Sequence, residues 1–174
     1  MNVKSTLNLN PWPFFVYGTL LPGQPNDYLW GEAIVSQQAA TLAHGRLYDC
    51  GAFPMLVEED GDSVIGCLIT VQPEQYTAVL ARLDELEGYD PCQPEASAYR
   101  RVQREVMGED GRSYSAWVYV GHPAALPGMS PIPGGDWRRY AANTFTDMQQ
   151  WWQDVQSVHG LLHPPGTQRA ADER

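Results

Sequence analysis

Sulfur, positive charge and long apolar runs are all scarce in this chain, and each scarcity excludes something. There are three cysteines, Cys50, Cys67 and Cys92. They form no CxxC pair, and an odd, widely spaced set reads as reduced thiols rather than a disulfide framework. Lys and Arg total 11 against 21 Asp and Glu, a net charge of -10. That balance argues against nucleic acid and anionic membranes as partners, although it leaves room for a local anion-binding site. No run approaches the roughly 20 apolar residues of a membrane span. The start, Met1-Asn2-Val3-Lys4-Ser5-Thr6, leads into no apolar core of a secretion signal. Cytoplasmic residence is the expectation. The four histidines, His44, His122, His159 and His163, show no HExxH or Cys/His metal spacing, so no metal is expected. GxSxG, the phosphate-binding P-loop and GxGxxG are absent too.

What is present suits one domain with a real core. The chain has 174 residues, 43% of them hydrophobic. Fourteen prolines and sixteen glycines favour short elements and many turns. Phe14-Phe15-Val16-Tyr17 reads as a short strand buried on both faces, broken by Gly18-Thr19. Residues 33 to 49 read as one or two strands, with Gly45 a bulge or close approach. Gly51-Ala52-Phe53-Pro54 turns the chain back. Asp60-Gly61-Asp62 is a hairpin signal, and Val64 to Val71 a strand. Residues 99 to 106 and 114 to 120 follow as strands. Pro123 to Gly135 is a connection. A last helix is predicted at about Phe145 to His159, its stripe of Phe145, Met148, Trp151 or Trp152, Val155 and Val158 docking on the core. No internal repeat and no linker between two cores is visible. Short strands with one helix inserted and one appended predict an antiparallel barrel or curled sheet with packed helices.

The inserted helix carries the most informative residue. From Pro73 to Gly88, apolar residues recur as Tyr76, Val79, Leu80, Leu83 and Leu86. At about 100° per residue, Glu87 falls within roughly 40° of Tyr76, Leu80 and Leu83. Glu85 lies on the wet side and Asp84 on the flank. Glu87 therefore points inward, in the last helical turn, where the macrodipole disfavours negative charge. Desolvation and the dipole both raise its pKa, which suits a carboxylate that takes and returns protons near neutral pH. The alternative is a frayed helix end whose glutamate reaches water. The second feature is Tyr17-Gly18-Thr19-Leu20. A glycine at the end of a buried strand lets successive amides converge into an anion-binding nest, with the Thr19 hydroxyl as a further donor. The alternative is a plain strand-ending turn. Together, a nest and an inward glutamate match the two ends of a zwitterionic amino-acid head.

The order and spacing of several segments resemble the gamma-glutamylcyclotransferase-like family. They are Phe15-Val16-Tyr17-Gly18-Thr19-Leu20 with Asn26, Gly45-Arg46-Leu47-Tyr48-Asp49, Gly51-Ala52-Phe53-Pro54 and Val64-Ile65-Gly66. Leu83-Asp84-Glu85-Leu86-Glu87-Gly88-Tyr89, Tyr99-Arg100-Arg101 and Ala116-Trp117-Val118-Tyr119 continue the series. The resemblance runs over roughly residues 13 to 120, with a weaker echo at Gly135-Asp136-Trp137. It implies an α+β fold, a small mixed, largely antiparallel β-barrel with packed helices. Residues 13 to 140 form the core of a single domain, 141 to 162 the appended helix and 163 to 174 a loose tail.

The resemblance further implies conversion of a gamma-glutamyl amine or peptide into 5-oxoproline and a free amine, without a cofactor. It implies Glu87 as acid/base and Tyr17, Gly18, Thr19 and Leu20 as the binders of the glutamyl head. The partner is then a small-molecule gamma-glutamyl substrate, and the protein a monomer or weak homodimer. Where related sequences often carry a basic residue just after YGTL, this chain has Leu21-Pro22, on the leaving-group side. Tyr99 and Tyr119 read as barrel core and stay outside the site. Two alternatives accompany the enzyme reading. One is a non-catalytic module that binds a gamma-glutamyl or other small carboxylate. The other is a tailoring enzyme of the same chemistry that removes a gamma-glutamyl protecting group from a metabolite.

Overall fold

The computed structural model describes residues 11–144. The predicted helix at 145 to 159 and the tail at 163 to 174 lie outside the described residues. Five strands close on themselves: β1 (Phe14–Val16), β2 (Ile34–Asp49), β3 (Pro54–Val71), β4 (Tyr99–Gly108) and β5 (Ser113–Gly121). Around the barrel the order is β3-β1-β5-β4-β2, and β2 pairs back with β3. A short β6 (Ser130–Pro131) adds to β2. Helix α1 (Tyr76–Glu87) is inserted after β3, and α2 (Trp137–Thr144) follows β6. The β1–β5 pair is parallel, and the other pairings are antiparallel. The fold is therefore α+β, a small mixed barrel with packed helices. Among the described residues no helix is long and apolar enough to cross a membrane.

β1 is short because it is buried on both faces. Side chains alternate along a strand. Phe14 packs on Trp30 and Tyr76, with ring centroids 5.7 and 5.5 Å away. Phe15 turns the other way, toward Tyr17 at 6.4 Å. Residues 33 to 49, read as one or two strands, form the single strand β2. Its register slips between Ile34 and Ser36 and again between Ala43 and Gly45. His44, at the second slip, has a positive φ of 57°, so the bulge expected at Gly45 is centred one residue earlier.

The hairpin expected at Asp60-Gly61-Asp62 is absent. β3 runs through it with the same partner on both sides: Gly45 faces Glu58 and Ala43 faces Ser63. The extra residues bulge outward, and Gly61, at φ 95°, makes the bend. A turn signal marks a change of direction, but only the partner strand decides whether the chain returns or continues.

α1 follows the sequence reading closely. Pro73–Gln75 form a 3-10 turn that leads into it. Val79, Leu83 and Leu86 are its buried residues. Gly88 ends it in the left-handed conformation. The Gly88 amide donates to Glu85 O, and the Tyr89 amide to Asp84 O at 2.8 Å, the paired bonds of a Schellman end. α2 begins ahead of the predicted last helix. Asp136 Oδ1 accepts from the Arg139 amide at 3.1 Å, an N-cap signal that the sequence reading passed over.

The β1–β3 pairing generates a test. A Cβ on Gly66 would stand 2.3 Å from Val16 O and 2.7 Å from the Phe15 ring. The carbonyl cannot move without parting β1 from β3. Gly66→Ala is expected to destabilise the fold by about 1–3 kcal/mol, read as a lower urea midpoint. An unchanged midpoint would contradict this register.

Candidate active site

The loop after β1 is built before any ligand arrives. Leu21 N donates to Gly18 O, Gln24 N to Leu21 O and Asn26 N to Thr19 O. Buried Trp30 donates its indole N–H to Leu20 O at 2.9 Å. The Asn26 amide Nδ2 donates to Thr19 Oγ1 at 3.0 Å, so the Thr19 hydroxyl accepts there and keeps its own proton to give. The backbone amides of Gly18, Thr19 and Leu20 meet no acceptor among the described residues. Gly18 is required by close approach and not by a left-handed φ. A Cβ there would stand 2.8 Å from Pro54 Cγ. Pro54 belongs to the turn 51 to 54, so loop and turn lie one against the other.

These two segments form one side of a cleft. Tyr17, Gly18, Thr19, Leu20 and Asn26 line it, as do Phe53 and Pro54, with Leu86 and Glu87 from the end of α1. All five residues singled out in the sequence thus share one cleft. Tyr99 and Tyr119, read as core, line it too. Both are buried, as core residues are, but their hydroxyl ends are committed to polar partners. Tyr99 donates to Pro54 O at 3.3 Å, and Tyr119 donates to Asp84 Oδ1 at 2.7 Å. Tyr17 donates to Tyr119 O at 2.7 Å. Burial pushes all three phenols well above their ordinary pKa, and the negative charge of Glu87 adds to the rise. They remain protonated donors.

Glu87 keeps part of its surface open to the cleft. Burial, and then the neighbouring charge of Asp84, push its carboxyl from 4.5 up to about 8. The upward direction matches the sequence expectation, and desolvation is its main cause. The contribution of Asp84 was not anticipated from the helical wheel, where that residue sits on the flank. In the structure Asp84 takes both Tyr119 Oη and Arg101 Nε, the latter as an ion pair at 3.0 Å without hydrogen-bond alignment. Arg101 is held over the Trp117 ring at 4.6 Å and the Tyr89 ring at 5.4 Å. The β4–β5 register places Arg101 opposite Tyr119, a pairing invisible until the strands are aligned. Among the described residues no group of three His, Cys, Asp or Glu side chains comes together as a metal set.

The arrangement offers unpaired amide donors for an anion beside a carboxyl that exchanges protons near neutral pH. It also gives a test that needs no substrate. Between about pH 4.5 and 8 the folded chain holds a proton on Glu87 that the unfolded chain has released. Stability contributed by this group therefore falls as pH rises through that window, and the loss is complete above 8. Glu87→Gln removes the titration. Its melting temperature is expected to gain on the parent from pH 5 to about pH 8 and to hold a constant lead from there to pH 9. A constant difference across that range would contradict the raised carboxyl.

The match to known proteins covers this whole constellation. Residues 14–139 match the model of the family described as gamma-glutamyl cyclotransferase, AIG2-like. The gamma-L-glutamyl-butirosin B gamma-glutamyl cyclotransferase of Niallia circulans is 35% identical over 107 residues. That alignment covers 61% of this chain and 64% of the relative's length. Among solved structures, ytfP from Escherichia coli is 25% identical with a TM-score of 0.50, over 72% of this chain and 95% of that one. YkqA from Bacillus subtilis, 22% identical with a TM-score of 0.54, shares the fold over 78% of this chain and 43% of its own. With its strand-ending loop, its helix-end glutamate and 126 consecutive residues inside the family model, the chain belongs to the gamma-glutamyl cyclotransferase, AIG2-like family.

Proposed function

We propose that this protein is a gamma-glutamyl cyclotransferase that closes a gamma-glutamyl amide into 5-oxoproline and releases a free amine. The observation that carries the reading is the placement of Glu87 in one cleft with the unpaired amides of Gly18, Thr19 and Leu20. The loop grips the alpha-carboxylate of the glutamyl head through those amides and the Thr19 hydroxyl. Glu87 takes a proton from the alpha-ammonium. The freed amine attacks the gamma-carbonyl carbon and a C–N bond forms. The tetrahedral intermediate collapses and the original amide C–N bond breaks; Glu87 returns its proton to the leaving nitrogen, the surplus proton of the ring nitrogen follows through the same carboxylate, and the amine departs as an ammonium. No water is consumed and no net proton is gained or lost. Holding the chain curled supplies much of the rate through proximity, since nucleophile and electrophile belong to one molecule.

Charge bears on the leaving group. No Lys or Arg is among the residues that line the cleft, and Leu21-Pro22 adds none. Among the described residues the cleft lining offers no cation to a carboxylate on the departing amine, the Arg138 guanidinium on that side being bonded to Pro22 O, whereas the net charge of -10 tolerates a cationic one. This favours a gamma-glutamyl amine over a gamma-glutamyl amino acid. It also fits the tailoring reading, since the relative from Niallia circulans is named for gamma-L-glutamyl-butirosin B.

Release of 5-oxoproline from gamma-glutamyl amines tests the mechanism. Capping the donor's alpha-amine is expected to abolish release of the leaving amine, because the nucleophile is gone. Cleavage of a capped donor would mean hydrolysis by water instead. Glu87→Gln is expected to lower kcat by at least about a hundredfold with the fold intact, while Glu85→Gln stays near normal. A Glu87→Gln enzyme of near-normal rate would remove Glu87 from the mechanism. Gly18→Val, which drives a branched Cβ into Pro54, is expected to abolish binding of a gamma-glutamyl ligand by calorimetry. Thr19→Ala is expected to weaken that binding less. The reverse ranking would place the carboxylate on side chains rather than on the backbone.

A further inference from the structure

Behind the cleft wall lies a buried pair of opposite charges that the reaction as written does not use. Asp84 precedes Glu87 by three residues on α1, so the two carboxylates rise from adjacent turns of one helix face. The side chains of Asp84 and Arg101 are only 14% and 12% exposed. An ion pair this dry is a weak source of stability, because desolvation offsets most of the attraction. Its surroundings connect it to the cleft instead. Asp84 Oδ1 accepts the Tyr119 hydroxyl at 2.7 Å. Tyr119 in turn accepts the Tyr17 hydroxyl on its backbone oxygen at 2.7 Å. Both tyrosines line the cleft. Arg101 is locked between Trp117 and Tyr89, and Tyr89 is the residue whose amide closes the α1 end on Asp84 O. One network thus fixes the helix end that carries Glu87 and the tyrosine that stands beside it.

We propose that Asp84 and Arg101 are positioning residues whose charge balance sets the pH at which Glu87 exchanges its proton, while their contacts hold Tyr119 in the cleft wall. Several titratable groups face Glu87. From its own helix, Asp84 opposes its ionisation. From the end of β1, from β4 and from β5 come the phenols of Tyr17, Tyr99 and Tyr119. The Cys50 thiol, in the turn between β2 and β3, lies close enough to act on Tyr17 and Tyr99 and is itself pushed up to about 11 by burial. Thiol and phenols are neutral in the working range. Burial holds the proton on Glu87, Asp84 is the charge that reinforces it, and Arg101, paired with Asp84, is the charge that tempers Asp84.

The signs can be told apart experimentally. Asp84→Asn keeps an acceptor for Tyr119 and removes the charge, so Glu87 is expected to release its proton at lower pH. Arg101→Gln leaves Asp84 unbalanced, so release is expected at higher pH. Arg101→Lys is expected to return it toward the parent value. Each shift is expected to be about one pH unit, a tenfold change in proton affinity.

The measurement is a carbon-13 NMR titration of the Glu87 carboxyl in the resting protein, assigned with Glu87→Gln. The same variants are then carried through the pH profile of kcat/KM. Opposite displacements of the NMR midpoint support the pair. Unmoved midpoints, or displacements of one sign in folded variants, overturn it and indicate a purely structural pair. If Arg101→Gln does not fold, Asp84→Asn decides alone, a lower midpoint supporting the proposal and an unchanged one overturning it. The rate profile rests on the reading of Glu87 as the acid/base, and the titration does not. Opposite NMR shifts with an unmoved rate profile would uphold the pair and overturn that reading.

Discussion

A carboxylate at the C-terminal end of a helix, in a wall of aromatic rings, is the constraint on which the arrangement of this site depends. Three effects there oppose ionisation of Glu87: removal from water, the partial negative charge of the helix end and the charge of Asp84. In a loose structure the helix end would fray and the side chain would swing into solvent. The Schellman closure through Gly88 and Tyr89 prevents that. So does the burial of Leu83 and Leu86 just before it. The raised proton affinity is thus a consequence of rigidity, which the helix cap and the hydrophobic stripe supply together.

Closure of the barrel supplies the other half. β1 is three residues long, yet it pairs with β3 on one side and β5 on the other. That double pairing anchors the loop 17 to 20 at a defined height. The loop then keeps its shape through its own backbone bonds and through Trp30 and Asn26. Because the turn 51 to 54 packs against Gly18, residues distant in sequence meet at one cleft. The loop offers donors and the helix end offers a carboxyl. Neither segment completes the site alone.

Local patterns were the legible part of this chain. The 3.6-residue recurrence from Tyr76 to Leu86 marked α1; Gly88 marked its end, and Pro73 the 3-10 turn three residues ahead of its start. The same recurrence gave the direction of Glu87. The run Phe14 to Tyr17 marked a strand buried on both faces. Misreadings arose where a local signal needed a distant partner to be interpreted. Asp60-Gly61-Asp62 has hairpin chemistry, but β2 pairs on both sides of it and makes it a bulge. Tyr99 and Tyr119 have the alternation of core residues and are indeed buried. What brings them to the cleft is the β4–β5 register and the placement of α1. Asp136 signalled the start of α2 but was read only as a faint echo.

By itself, the sequence determined the place of the helix, the inward aim of Glu87 and the strand-ending loop with its glycine. Each of these depends on spacing within about a dozen residues, where backbone geometry leaves few options. Only the tertiary structure decided that loop, turn and helix end share one cleft. It likewise decided that Gly18 is needed against Pro54 rather than for its φ, and that Asp84 engages Arg101 and Tyr119. Those relations, with the Tyr17–Tyr119 bond beside them, join residues up to 102 positions apart. They follow from which strands pair and in what register, a choice made by the summed burial of the whole barrel and not by any one segment.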